Sequence, residues 1–245
     1  MHVYQLLRLH EHACNASNVI FASGTDPMGL QFVSTLAGTA LAESLRNQGM
    51  HALLVYDDLS KHAVAYRQLS LALRKPAGRE AFPSDIFYLH ARLLERACCI
   101  HACFGGGSVF SLPVIETLGN DLSAFVATNV ISISDGQLYL DSTLFGLGVF
   151  PAVSIQKSVS RVGAKALDPF WRKVSFSLCS SMNEYKQELE SVVKSKMFVV
   201  QQHRWQRIYK LFHQRSPWSH FVNAVLLVAA LHGQTDAVSL PSMKL

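Results

Sequence analysis

Two adjacent carboxylates, Asp57 and Asp58, follow directly on the apolar run Leu53-Leu54-Val55-Tyr56. A buried strand that delivers acids at its carboxyl end puts them where open α/β sheets place ligand-handling groups. A carboxylate there can hold a water bound to a nucleotide's magnesium. Asp57, next to the strand, is the better placed for that; Asp58 would orient neighbouring groups. The ordinary alternative is a strand end that needs polar residues to meet solvent. No G-x-x-x-x-G-K-[ST] phosphate loop accompanies them, and Gly24 to Gly29, which has the glycine spacing, runs on into Leu30 and Gln31. The 245 residues carry one half of a nucleotide site.

Other chemistry is less well marked. The five cysteines, Cys14, Cys98, Cys99, Cys103 and Cys179, are an odd, unspaced set that fits reduced thiols rather than a disulfide framework. His101 lies among three of them, but the segment has the period of an amphipathic helix, so these cysteines are expected to pack as small apolar residues. The eleven histidines lack a ligand spacing, and no metal site is assigned. A net charge of +5 is scattered among carboxylates without a basic, aromatic-interleaved block, so no nucleic-acid partner is expected. The longest apolar run, Phe221 to Leu231, contains Asn223 and falls short of the roughly 20 residues a membrane helix needs. Any membrane association is expected to be indirect.

The elements that must position these residues follow from periodicity. A hydrophobic fraction of 49% supports a buried core. Val19 to Ala22 and His51 to Tyr56 suit strands; Met28 to Asn47 and Ser60 to Leu73 suit helices, the second with Ser60 as its N-cap. Lys75 to Gly78 breaks that helix, and Pro83-Ser84-Asp85 starts the next, to about Cys103. Gly105-Gly106-Gly107-Ser108 turns into a strand through Pro113-Val114-Ile115. Asn129 to Ser134 and Gln137 to Leu140 suit two strands joined at Asp135-Gly136. This alternation predicts an α/β fold with a mainly parallel sheet. After Asp168-Pro169 the pattern turns helical: Phe170 to about Met197, Arg204 to His213, and Pro217 to Leu231.

The words YDDLSK (Tyr56 to Lys61), AVAYRQ (Ala63 to Gln68), GREAFP (Gly78 to Pro83), FYLHARLLERA (Phe87 to Ala97), TNVISISDGQ (Thr128 to Gln137) and SVSRVG (Ser158 to Gly163) occur in a family-specific order. By them the chain resembles the α subunit of the rotary ATP synthase, from about Val3 to about Gly233. The resemblance covers the later part of such a subunit. It implies an incomplete RecA-like sheet lacking the phosphate-loop unit over 1–168 and an α-helical C-terminal domain over 169–245. The usual A-Q-F-G-S-D-L loop is absent, since the stretch from Tyr185 to Pro217 is short; some protist mitochondrial versions are shortened here, and ETLGNDLSA and GQLYLDS look closest to those.

The resemblance also assigns roles. Arg161 corresponds to the arginine finger that an α subunit extends into the catalytic site of an adjacent β subunit. On its own it would be an ordinary surface charge, and Gln156 and Lys157 replace the glycine and apolar residue usual before the motif. Ser132 corresponds to a serine near the same phosphate, the bland reading being a half-buried strand serine. Phe145 matches an aromatic that packs on adenine. Phe150, before Pro151, stands where the family usually has Arg. Gly78 to Asp85 corresponds to the loop lining the sleeve around the central stalk.

The implied function is that of an α-subunit-like component of a mitochondrial complex on the matrix side of the inner membrane, serving proton-driven ATP synthesis through the α/β interface. Its partners would be the β subunit, the central stalk and a separate N-terminal α fragment. ATP or ADP with magnesium would bind only if a partner supplies the missing part. A degenerate paralogue with a structural role is the alternative, and a freestanding nucleotide hydrolase is not expected. The amino terminus, MHVYQLLRLHEHACN, lacks the Arg-rich character of a presequence. Import information would be removed or internal, the gene organellar, or the start upstream.

Overall fold

The structure is a computed structural model that describes residues 15–117, 119, 121–146, 148, 150–190, 202–208, 211, 219–234 and 236. The chain divides into two compact units, Met1–Ser134 and Asp135–Leu245.

In the first unit α1 (Met28–Asn47) leads into β1 (His51–Tyr56), and α2 (Leu59–Ala72) and α3 (Ile86–Leu94) follow before β2 (Ser108–Pro113). The two strands pair in parallel, from His51 opposite Ser108 to Tyr56 opposite Pro113. Alternation along β1 turns Leu54 and Tyr56 inward, where Tyr56, Leu59, Leu93, Leu94 and Val130 form a core joined by Leu36, Leu54, Ile115 and Ile133. Gly107 lets β2 start against the end of α1: a Cβ there would stand 2.0 Å from the Arg46 carbonyl oxygen.

Several expectations need correcting. Asn129 to Ser134 is not a strand but lies in and just after α4 (Phe125–Ile133). Its β-branched residues have low helix propensity, but Ala127 and Val130, three apart, are buried on one face, and that packing overrides propensity. Val19 to Ala22 forms no strand, and Val19, Ile20 and Phe21 are exposed. The helix expected to reach Cys103 stops at Leu94. Beyond it the backbone turns to pair with β2, Val109 N–H donating to the Cys98 carbonyl at 2.9 Å and Ile100 N–H to that of Gly107 at 2.8 Å. Cys98, Cys99 and Cys103 are accordingly exposed rather than packed.

In the second unit β3 (Gly136–Leu140) is joined through α5 (Ser142–Gly146) to β4 (Val153–Ser160), its antiparallel partner. Among the described residues the fold is thus mixed α/β with one small parallel and one small antiparallel pair. Helix α6 (Pro169–Glu190) is capped by Asp168, whose carboxylate accepts the Phe170 N–H at 2.9 Å. Residues 202–208 and 211 are helical, and α7 (His220–Leu231) is capped by the Ser219 hydroxyl. Met182, Trp205, Ile208, Leu211 and Ala230 form the core here, with Ile155 of β4 packed on it. The amino-terminal segment and most of the stretch from Tyr185 to Pro217 lie outside the described residues. No helix among the described residues is long and apolar enough to cross a membrane.

Candidate functional site

Asp57 and Asp58 stand where β1 ends, and they do different things. The Asp58 carboxylate caps α2, accepting the Lys61 N–H at 2.7 Å and lying 2.8 Å from the Lys61 ammonium. The hydrogen bond from the Lys61 ammonium to Asp58, and then the charge of Asp58, raise the pKa of Lys61. Asp58, not Ser60, is therefore the cap. The Ser60 hydroxyl instead accepts the Glu116 N–H at 3.1 Å. The backbone is stitched across the strand ends by Val114, whose N–H donates to the Tyr56 carbonyl (3.0 Å) and whose carbonyl accepts from Leu59 N–H (2.9 Å). Asp57 projects beside this stitching with an exposed side chain that no hydrogen bond or ion pair occupies among the described residues. A hard cation or its water shell is held by oxygen donors of this kind.

Ser132 is exposed on α4 rather than in a strand, and its hydroxyl donates to the Asn129 carbonyl at 2.7 Å, a bond within its own helix. Val130, two residues before it, packs in the same core as Tyr56. The end of β1 and helix α4 therefore flank one core, on which Asp57 and Ser132 themselves are exposed.

Phe145 and Arg161 belong to the second unit. Phe145 is exposed and meets Phe150 edge to face, centroids 5.3 Å apart at 84°. Phe150, where the resemblance expects an arginine, thus meets Phe145 with a ring rather than a charge. Arg161 follows β4 immediately, and its N–H donates to the Asp135 carbonyl at 2.7 Å. That bond fixes the backbone of Arg161 against the residue that opens β3.

Sequence reasoning missed a cluster beside this motif. The Asp141 carboxylate accepts the Thr143 hydroxyl (2.6 Å), the Lys157 ammonium (2.9 Å) and the Thr143 N–H (2.9 Å). Together they hold its pKa well below the usual carboxylate range, at about 2, the Thr143 hydroxyl contributing most. Lys157 also lies 4.7 Å from the Tyr139 ring centroid. Lys157 stood out in the sequence only as a departure from a motif, and nothing there pointed to a partner sixteen residues away. No group of three or more metal-liganding side chains gathers among the described residues.

Residues 2–160 match the ATP synthase alpha/beta family, nucleotide-binding domain. The chain is 46% identical over 244 residues to the mitochondrial ATP synthase subunit alpha of Trypanosoma brucei brucei, covering 99% of this chain and 41% of that protein. It belongs to the ATP synthase alpha/beta family, as a relative of α subunits. Likeness to bacterial α subunits is of the same order: 42% identity over 241 residues for Aquifex aeolicus, covering 96% of this chain and 48% of that protein. For Lawsonia intracellularis it is 51% over 185 residues, covering 76% and 36%. The chain spans less than half the length of these ATP synthase α subunits, and the family match includes Asp57, Ser132 and Phe145 and ends at Ser160, one residue before Arg161.

Proposed function

We propose that the chain is an α-type component of an ATP synthase that supplies one side of a nucleotide site and extends Arg161 to a phosphoryl group held by a neighbouring β-type subunit. The observation that carries this is Arg161 itself, which stands at the mouth of β4 in the intact word SVSRVG with its N–H tied to Asp135. A guanidinium so placed can donate two hydrogen bonds to phosphoryl oxygens and offset the charge that develops as the group transfers. Asp57 would hold a magnesium-bound water, Ser132 would face the interface phosphate, and Phe145 would offer its exposed ring to adenine. The phosphate-cradling loop comes from outside these 245 residues, on the same polypeptide or on another. Magnesium nucleotide would bind only once that loop is in place.

The domain roles under this reading are a nucleotide-binding part over 1–168 and a helical part over 169–245. The trypanosome relative favours a mitochondrial setting, with the complex on the matrix side of the inner membrane. A second reading, an α paralogue kept as a structural subunit, is favoured by Phe150, which packs on Phe145 where a cation would otherwise approach the nucleotide.

The two readings separate on Arg161→Lys, in a complex whose sole α-type chain is this one. Lysine keeps the charge but loses the planar fork of donors, and finger arginines contribute on the order of 10³ or more to rate. ATP turnover should fall by that order while the chain still assembles. Unchanged turnover would remove Arg161 from the chemistry and leave the structural paralogue.

A further inference from the structure

The β3–β4 pair contains an irregularity just ahead of Arg161. Gln137 faces Val159, yet Tyr139 faces Ser154. Only Leu138 lies between those positions on β3, whereas residues 155–158 lie between them on β4, so the longer strand must bulge. The bulge is closed by one hydroxyl: Ser158 Oγ accepts the Tyr139 N–H at 3.0 Å and donates to the Ser154 carbonyl at 2.6 Å. Beyond it the ladder resumes for Val159 and Ser160, and β4 comes so close to β3 that a Cβ on Gly136 would stand 2.7 Å from the Val159 carbonyl oxygen. Arg161 is the next residue. Where its backbone sits depends on how much chain the bulge takes up.

Lys157 is the one charged residue in the bulge. Its ammonium lies over the Tyr139 ring and donates to Asp141 Oδ2, just past the far end of β3. Asp141 is in turn held by Thr143 at the start of α5, so the anchor is fixed before the lysine arrives. The side chain thereby ties the bulge to the opposite end of the strand pair from Arg161. We infer that Lys157 is a positioning residue for Arg161, its contacts with Asp141 and Tyr139 locking the β4 bulge in the one register that delivers Arg161 beside Asp135. This deepens the proposed finger role and rests on it for its effect on rate, whereas the backbone effect does not depend on that role.

A double-mutant cycle in the assembled complex tests it. Lys157→Met should lower kcat about tenfold with KM for nucleotide unchanged, since a small misplacement of a transition-state group costs rate. Asp141→Asn should mimic it, and Lys157→Arg, which can still reach Asp141, should keep most of the activity. In an Arg161→Lys background Lys157→Met should cost nothing further. Hydrogen exchange of the peptide spanning 159–163 should quicken in Lys157→Met, as the Arg161 N–H loses its hold on Asp135. Unchanged exchange in Lys157→Met would overturn the inference, and so would an equal loss of turnover with and without the Arg161 substitution. Quickened exchange together with an inert Arg161→Lys would leave the positioning intact and sink the finger reading instead.

Discussion

Asp57 and Asp58 are neighbours of the same type, and the structure separates them by what each oxygen touches. Asp58 is spent on the fold, capping α2 and pairing with Lys61. Asp58→Ala should therefore destabilise the chain by about 1 kcal/mol, most of it the lost cap, because the ion pair uses a largely exposed lysine and adds little. Asp57→Ala touches no such contact and should change stability by less than about 0.5 kcal/mol. Denaturant unfolding of the two variants checks this, and equal destabilisation by both would contradict the division of labour. The sequence showed the strand end and its acids plainly, since four apolar residues followed by two carboxylates admit few other folds. It did not show which residue caps the helix, because Asp58 and Ser60 are both good caps two positions apart. Nor could it show that Lys157 meets Asp141, a pairing made only when β4 folds back on β3.

At the scale of elements, α1, β1 and β2 were legible because their apolar periods are clean and their boundaries carry Pro27, Gly49 and Gly105 to Gly107. Helix α4 was not, because the decisive fact is burial of Ala127 and Val130 against other elements. The packing of α2 on α3 was likewise hidden in dispersed histidines. His62 and His90 are both buried, their ring centroids 5.7 Å apart, with Phe32 stacked on His62 at 5.0 Å. None of their ring nitrogens has a hydrogen-bond partner among the described residues. Burial pushes both imidazoles down from 6.5 to about 4. The unfolded chain then takes up protons first as pH falls, so stability present in full above 6.5 is lost between about 6.5 and about 4. On the order of 2 kcal/mol per histidine is at stake by pH 5. Hydrogen exchange in peptides from α2 and α3, corrected for intrinsic rates, should quicken markedly from pH 7.5 to pH 5.5. Replacing both histidines by Gln should flatten that dependence. A dependence that survives the double substitution would place the acid-labile point elsewhere.

For the molecule as a whole, the first unit presents an apolar sheet face. Leu53 and Val55 of β1 and Phe110 of β2 alternate onto the face opposite the core and are exposed, with Leu53 directly beside Phe110. Parallel strands are normally covered on both faces. The matched ATP synthase α subunits of Trypanosoma brucei brucei and Aquifex aeolicus are more than twice its length. The proposed assembly gives that apolar face a cover and gives Asp57 the phosphate loop it lacks a counterpart for. The α/β order of the elements and the family were legible because they are carried by contiguous words such as YDDLSK and FYLHARLLERA. Isolating the tagged chain from its native source under mild conditions, and identifying what accompanies it, tests membership most directly. It should run as part of a large complex in a fixed ratio to a β-type subunit, with a G-x-x-x-x-G-K-[ST] segment and a barrel present on its own polypeptide or on an equimolar partner. A well-dispersed monomer of these 245 residues, with no β-type subunit beside it, would contradict the account.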